Sequence, residues 1–345
     1  MNFVGIDLHK KIIVVCVVNE KRQVIARKQL ACCRPEEIRE FFAGLKPFQA
    51  VVEATASYEW LVQLIEPLAD RVLLAHPKKL RVIAESTRKT DKIDAQILAE
   101  FLALDMIPTA HRPAPRQREH RRLVRYRYYV QGRITSVRSK VRRILSDYNA
   151  DRPNLFTIKG LDYLATVRLS GADRFVVDQL IEEWKEHRRR LAAVKKELAT
   201  FAKSAPVAEA EGRVVLESIP CVGPVTVDVI ISELGDVRRF RSQKRAVAYA
   251  GLAPGVRASA GRAKHLRISK EGSRLLRWAL VEAAWRLVGK TRYWGFLYER
   301  LRNRCGAKRA IVAVARRLLC VMVSMLQRGE RYRLAKTELR VGCKT

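Results

Sequence analysis

Acidic residues are scarce in this chain of 345 residues. Its 35 aspartates and glutamates are opposed by 68 lysines and arginines, which leaves a formal net charge of +33. This imbalance exceeds what solubility requires and indicates a polyanionic partner. The basic residues are spread along the sequence rather than gathered on one amphipathic helix, so a membrane surface is the less favoured partner.

Patterns typical of export or membrane insertion are also missing. Residues 1–18 read as a strand pattern that contains aspartate, not as a signal peptide. The longest apolar run, 310–326, is interrupted by Arg316 and Arg317, so we expect no membrane span. The seven cysteines are odd in number and lack metal-ligand spacing, which is typical of reduced thiols. We therefore expect a cytoplasmic protein of two or three domains.

The first hundred residues predict three strands followed by alternating helices and strands. This order is typical of an α/β domain of the RNase H-like type, in which helices cover a mixed sheet. The predicted strands are 2–8, 11–18, 24–30, 49–53 and 71–75, and the predicted helices are 36–45, 58–68, 78–84 and 92–104.

Four carboxylates fall where these predicted elements end or begin. Asp7 ends the first strand, Glu53 ends the fourth, and Asp91 and Asp94 open a helix with a spacing that puts both on one face. Sites in open α/β sheets form beyond the strand ends. Four acids gathered there could hold two Mg²⁺ ions about 4 Å apart, as in phosphodiester chemistry. Each acid alone is also an ordinary turn or helix-start residue.

Residues 112–143 form a strongly basic segment that reads as helix after Pro115. It contains eleven arginines and one lysine against a single acid, with three tyrosines interleaved. Such a segment suits a phosphate backbone and unstacked bases, although a solvated helix face is the alternative. The residues predicted to contact nucleic acid here are Arg121, Arg122, Arg125, Arg133, Arg138, Lys140, Arg142 and Arg143.

A heptad pattern follows the basic segment. Apolar residues recur at a and d positions over four heptads between Val177 and Phe201, with His187 as a polar core position. The pattern predicts a coiled coil with self-association as its simplest consequence; a long helix packed within its own chain is the alternative. We therefore predict a domain over 1–150 that includes the basic helix, a coiled-coil connector over 151–205 and a mainly α-helical domain over 206–345.

The last of these regions carries two short motifs. Residues 216–227 read as helix, glycine turn and helix, which either holds a DNA phosphate as a helix-hairpin-helix does or is a plain connector. The composition of residues 249–272 predicts a loop around Ser259. On this composition an ordinary turn serine is favoured over a nucleophile. Guanidinium groups near it could stabilise a developing phosphorane charge. The residues predicted to bind nucleic acid here are Arg257, Arg262, Arg267 and Lys270.

In combination these motifs resemble those of IS110-family transposases over nearly the whole chain. The first part carries G-I-D-L-H-K at 5–10, E-A-T-A-S-Y-E at 53–59 and K-T-D-K-I-D-A at 89–95, which resemble the family's RuvC-like D-E-D-D domain. The later part resembles the family's transposase-specific domain, with I-P-C-V-G at 219–223, Y-A-G-L-A-P at 249–254, S-A-G at 259–261, R-I-S-K-E-G at 267–272 and A-V-A-R-R-L-L at 313–319.

The resemblance implies a site-specific DNA recombinase that moves an insertion sequence. It implies that Asp7, Glu53, Asp91 and Asp94 bind Mg²⁺ and that Ser259 attacks the DNA to form a covalent phosphoserine link. It further implies a structured noncoding bridge RNA that pairs with donor and target DNA, and assembly as a dimer or tetramer of this chain. Base pairing would then read the sequence while a basic protein grips the backbone.

Three other functions remain open on the sequence. A RuvC-like endonuclease would use the four acids with water as the nucleophile, and a nucleic-acid binder without catalysis would not need them. A sugar-kinase-like ATPase also opens with G-I-D and a hairpin, but its later glycine loops and a P-loop are not evident in the sequence. The charge of +33 also argues against an enzyme of small molecules.

Overall fold

Runs of valine and isoleucine form the central strands of the first part of the chain, because β-branched side chains fit a pleated, buried surface. The middle strands are buried along most of their length, as expected for strands covered on both faces. The strands are β1 (Asn2–Leu8), β2 (Ile12–Val18), β3 (Val24–Ala31), β4 (Phe48–Glu53) and β5 (Arg71–Ala75).

The computed structural model describes residues 1–54, 57–83, 91–259 and 262–333. Within these ranges, the side chains of 81–83, 91–93, 256–259 and 262–266 are outside the description. By its internal contacts the chain divides into two units, Met1–Arg112 and Pro113–Thr345.

The sheet of the first unit has the strand order β3-β2-β1-β4-β5. β1 pairs antiparallel with β2 and parallel with β4, while β4 pairs parallel with β5. The helices are α1 (Pro35–Ala43), α2 (Glu59–Ile65), α3 (Pro77–Ile83) and α4 (Asp91–Ala103). Residues of α1 and α2 pack with Val4 and Ile6 of β1, and α4 packs with Val51 of β4. A mixed sheet with helices on both faces confirms the predicted α/β class for this unit.

The second unit is built mainly from helices. They are α5 (Pro115–Asp147), α6 (Ile158–Thr166), α7 (Gly171–Lys203), α8 (Val207–Glu217), α9 (Pro224–Leu234), α10 (Gln243–Tyr249), α11 (Arg274–Lys290), α12 (Arg292–Cys305) and α13 (Ala307–Arg328). Two further strands, β6 (Pro254–Ser259) and β7 (Arg262–Ile268), pair antiparallel with each other.

The apolar heptad face of α7 is buried against α5 of the same chain. Val177, Leu180 and Trp184 share one core cluster with residues of α5. Arg133 contacts Glu183, whereas Arg116 donates to the carbonyl of Phe201, so the two long helices run antiparallel. The long helix therefore packs within its own chain, which is the second of the two arrangements that the heptad pattern allows, and α5, α6 and α7 form one helical hairpin.

This packing also places the basic helix α5 in the second unit. Its buried residues Val130, Ile134 and Val137 face α7, so by its contacts α5 belongs with the helices of the second unit, which begins at Pro113. The apolar face of α5, rather than its charge, determines where the helix packs.

Helix α13 accounts for the long apolar run near the end of the chain. By length and composition it is the one helix among the described residues that could cross a membrane. Val314, Leu318 and Met322 are completely buried in the main core cluster of the second unit, while Arg316 and Arg317 are exposed. The core position of α13 explains its hydropathy.

Candidate active site and basic surface

Asp7 and Glu53 lie at the carboxyl ends of two neighbouring parallel strands. The pairing of β1 with β4 runs from Asn2 and Phe48 to Ile6 and Val52, so Asp7 and Glu53 are the next residues on each strand. Adjacent strands are about 4.8 Å apart. Both acids are partly buried, and the side chain of Asp7 is 16% exposed. The structure thus brings these two predicted acids to the same edge of the sheet.

Both acids project from the sheet face that α4 covers. Phe3 on β1 and Val51 on β4 pack with Leu98 and Leu102 of α4. Side chains alternate along a strand, so Asp7 and Glu53, at even spacings from these residues, lie on the same face.

A glycine allows α4 to approach the sheet at this point. A Cβ atom on Gly5 would lie 2.0 Å from the carbonyl oxygen of Ala95 and 2.5 Å from the backbone nitrogen of Ala99. Leu102, farther along α4, packs near Phe3, so the first turn of the helix points toward the end of β1 that carries Asp7. Asp94, which precedes Ala95, is partly buried beside this contact.

Replacing Gly5 by alanine is therefore expected to destabilise the first unit by about 3 kcal/mol, because backbone atoms cannot move out of the way as a side chain can. Gly44→Ala is the matched control, since its Cβ would meet no atom closer than 3.6 Å and its φ of −71° suits alanine. Denaturant unfolding followed by circular dichroism measures both changes. Equal effects of the two substitutions would show that α4 does not press on β1.

The fourth acid and the metal-binding geometry are only partly described. Asp91 is the first residue of α4, but its side chain is outside the description. Among the described side chains, no three His, Cys, Asp or Glu residues are close enough together to enclose a metal ion. The chemistry of the donors nevertheless fits Mg²⁺, because hard divalent cations prefer carboxylate oxygens.

His9 is a further candidate site residue, which the sequence pattern alone did not predict. Its Nε2 atom lies 3.1 Å from Oδ2 of Asp7, just beyond the end of β1. A histidine at this distance can orient the carboxylate or exchange a proton with it. The signal was present in the G-I-D-L-H-K motif, since residues two apart at a strand end lie on the same side of the chain.

Ser259 is the last residue of β6, and not a residue in a loop as the sequence predicted. Its backbone pairs with Arg262 at the closing end of the β6–β7 hairpin. The side chains of Ser259, Arg257 and Arg262 are outside the description, whereas Arg267 and Lys270 are exposed. Glycine and alanine dominate the segment and therefore favour a loop, yet strand pairing needs only backbone groups.

The base of this hairpin is fixed to the end of α10. The amide of Lys270 donates to the carbonyl of Gly251 over 3.1 Å, and the amide of Ser269 donates to the carbonyl of Ala253 over 2.9 Å. Gly251 has a positive φ, and a Cβ there would lie 1.8 Å from the carbonyl oxygen of Glu271. These contacts hold the start of β6 and the end of β7 in place.

The predicted helix–turn–helix at 216–227 is present as α8, a turn and α9. Cys221 has the left-handed φ of 64°, whereas Gly223 has a φ of −95° and caps α9. The turn therefore depends on a cysteine in a conformation that glycine usually supplies.

Two of the predicted nucleic-acid contacts on α5 serve the packing of the second unit. Arg121 is 14% exposed and donates to the carbonyls of Ser232 and Glu233 and to the hydroxyl of Tyr249. Arg125 forms two hydrogen bonds with the carboxylate of Glu233, whose side chain is 2% exposed. This contact raises the pKa of Arg125. Removing either arginine would leave a buried acid with fewer partners.

The remaining predicted contacts on α5 divide into paired and unpaired groups. Arg133 pairs with Glu183 at 2.7 Å and Arg142 with Asp151 at 3.0 Å, while Arg143 is 3.9 Å from Asp147. Hydrogen bonding to Arg133 holds the pKa of Glu183 below its usual range. Three exposed cations, Arg122, Arg138 and Lys140, have no ion pair with any carboxylate that the structure describes.

Two family models match the chain. Residues 4–150 match the DEDD transposase model of the IS110 group, and residues 214–299 match a model described as the transposase IS116/IS110/IS902 family. The first match contains the four acids and the basic helix, and the second contains Ser259.

Curated relatives match along most of their length. A probable family 20 transposase of Pseudomonas aeruginosa is 24% identical over 96% of this chain and 98% of the relative. The transposase for insertion sequence element IS1111A of Coxiella burnetii is 24% identical over 96% of this chain and 92% of the relative. The transposase for insertion sequence element IS1328 of Yersinia enterocolitica is 24% identical over 82% of this chain and 83% of the relative.

Proposed function

We propose that this chain, which belongs to the IS110 family of DNA transposases, inserts a mobile element by RNA-guided recombination through a phosphoserine intermediate. Its two family matches and its relatives indicate the family. The observation that carries the proposal is the arrangement in the first unit. Asp7 and Glu53 end adjacent parallel strands on the face where α4 begins, and the whole set falls within the segment that matches the DEDD transposase model.

The proposed role of the acids is to hold divalent metal, with Mg²⁺ as the physiological ion. Asp7, Glu53, Asp91 and Asp94 would supply oxygen ligands, and His9 would orient Asp7. A divalent cation bound there would stabilise negative charge developing on a phosphate of the DNA strand. We further propose that this unit has the RNase H-like fold of RuvC-type nucleases, which its strand order supports.

Ser259 would act as the nucleophile. Its Oγ would form a bond to the phosphorus of one DNA strand while the bond to the departing sugar oxygen breaks, which leaves the strand joined to the protein. The departing hydroxyl, or that of another strand end, would then attack the phosphoserine and restore a phosphodiester. Since the bond energy is kept in the intermediate, no nucleotide triphosphate is needed. The exposed Arg267 and Lys270 at the base of the same hairpin are proposed to bind the phosphate backbone.

The acids belong to the first unit and Ser259 to the second. We propose that copies of the chain assemble as a dimer or tetramer, so that the acids of one copy can act with the serine of another. Residues 1–150 would then form the metal-dependent domain with its basic helix, 151–205 the connector, and 206–345 the domain that carries the serine.

The proposed guide is a structured noncoding RNA encoded beside the element. The exposed cations Arg122, Arg138 and Lys140 on α5 support backbone contacts with nucleic acid, but such contacts carry no sequence information. Pairing between RNA and DNA would supply the sequence recognition.

Reconstitution tests this proposal. The purified chain is mixed with donor and target DNA, and with RNA transcribed from the noncoding sequence beside the reading frame. We expect recombinant DNA only when that RNA is present, and a change of target when the RNA segment complementary to the target is replaced. A scrambled RNA of the same length is the control. Recombination at the same site without RNA would contradict the guided mechanism.

A further inference from the structure

A cleft of about 230 Å³ opens on one side of the helical hairpin. Its walls come from α5, α7 and the segment that leads into α6, and they include Arg138 and Arg188 together with Asn154 and Thr157. All of these residues belong to the second unit. The cleft is separate from the hairpin that carries Ser259, and Arg138 is its one residue among the nucleic-acid contacts that the sequence predicts.

Two buried rings fix the two arginines of this cleft. The guanidinium carbon of Arg138 lies 5.0 Å from the ring centre of Phe156, and that of Arg188 lies 5.0 Å from the ring centre of Trp184. The two rings are 5.2 Å apart and only 8% and 5% exposed. Stacking on an aromatic face restricts a guanidinium group but leaves its N–H edge free to donate.

Neither arginine is neutralised by a carboxylate that the structure describes. This distinguishes them from other arginines of the same two helices, since Arg133 pairs with Glu183, and Arg189 and Arg190 both pair with Glu186. Two restrained cations on one cleft repel each other unless an anion lies between them. Side chains with amide and hydroxyl groups, Asn154 and Thr157, complete a lining able to donate hydrogen bonds.

We infer that this cleft, the Arg138–Arg188 cleft, binds phosphate groups of a polynucleotide backbone. The inference rests on the proposed function, which supplies the polynucleotide. It adds a defined binding surface on the helical hairpin of α5, α6 and α7, and this surface is not part of the family motifs. Phe156 and Trp184 are buried under the guanidinium groups, so neither of these two rings of the cleft is free to stack on a base. The cleft therefore holds the backbone without reading sequence.

The test compares two double variants that remove the same charge. In Arg138→Gln/Arg188→Gln the stacked, unpaired arginines are removed. In Arg189→Gln/Arg190→Gln the removed arginines are exposed neighbours that are already paired with Glu186. The affinity of the full-length chain is measured against salt concentration with two probes, a mixed-sequence duplex DNA and a structured RNA.

We expect the cleft variant to bind at least one probe about tenfold more weakly at about 0.1 M salt, with its salt slope reduced by about 0.9 for each duplex phosphate that the protein no longer neutralises. The control variant should lose less than half as much affinity. The probe that loses affinity identifies the source of the phosphate, and weaker binding of both probes identifies a backbone site that DNA and RNA share.

Equal decreases in affinity in the two variants would overturn the inference and leave nucleic-acid binding in place. Failure of the unaltered chain to bind either probe would instead overturn the proposed function. If the double glutamine variant melts early, the single variants Arg138→Gln and Arg188→Gln replace it, each compared with Arg189→Gln. Losses of affinity in these variants no larger than that of Arg189→Gln would also contradict the inference.

Discussion

The variant Ser259→Ala is expected to form no covalent protein–DNA adduct and to lower strand exchange by about 10³-fold or more, since the proposed nucleophile is gone. The acids and the basic surface remain in this variant, so DNA binding should persist. Denaturing gels of end-labelled DNA, with and without protease digestion, measure the adduct directly.

Ser146→Ala is a matched control, because the Ser146 hydroxyl is exposed and donates only to the carbonyl of Arg142 in its own helix. It should keep full activity. Ser259→Ala also separates the two catalytic alternatives. Undiminished DNA cleavage without an adduct would indicate an endonuclease in which water attacks the phosphate, and undiminished strand exchange would exclude the serine mechanism.

The variants Asp7→Asn, Glu53→Gln and Asp94→Asn are each expected to lower DNA cleavage by about 10²- to 10³-fold, because each amide keeps the size of the side chain but loses a charged metal ligand. The three residues are proposed to hold the same metal, so their effects should be far from additive. Cleavage is measured in Mg²⁺ and in Mn²⁺, and metal binding is measured by calorimetry.

Asp105→Asn is the control for this set. Asp105 follows α4, its side chain is 89% exposed, and its φ of 52° is a conformation that asparagine accepts readily. Its removal should leave cleavage and metal binding unchanged. If the three acid variants kept normal cleavage, or lost it no more than Asp105→Asn does, the metal site would lie elsewhere or be dispensable.

The sequence predicts the first unit well because the patterns that determine its strands and turns lie within short segments of the sequence. Each predicted strand ends within one or two residues of the observed one, since the β-branched runs and the turns between them are distinct. Asp7 and Glu53 reach the same edge as expected, because β1 and β4 are parallel and both acids follow their last paired residues. The importance of Gly5 was not predicted, although α4 could not lie so close to the sheet without it.

The second unit was predicted less well because its contacts join distant residues. Arg121 and Arg125 looked like surface cations, yet their partner Glu233 is more than a hundred positions away and is buried. The heptad pattern of α7 also did not specify which helix its apolar face packs against. The same pattern is expected for packing against a helix of the same chain and against a helix of another chain. Helices α6, α10 and α12 were not predicted at all.

Diffraction from crystals soaked in Mn²⁺, recorded at the manganese absorption edge, tests the central claim most directly. The account predicts an anomalous peak within coordination distance of carboxylate oxygens of Asp7, Glu53 and Asp94, and loss of that peak in Asp7→Asn crystals. An anomalous peak bound only by other side chains, or no peak near the ends of β1 and β4, would contradict it.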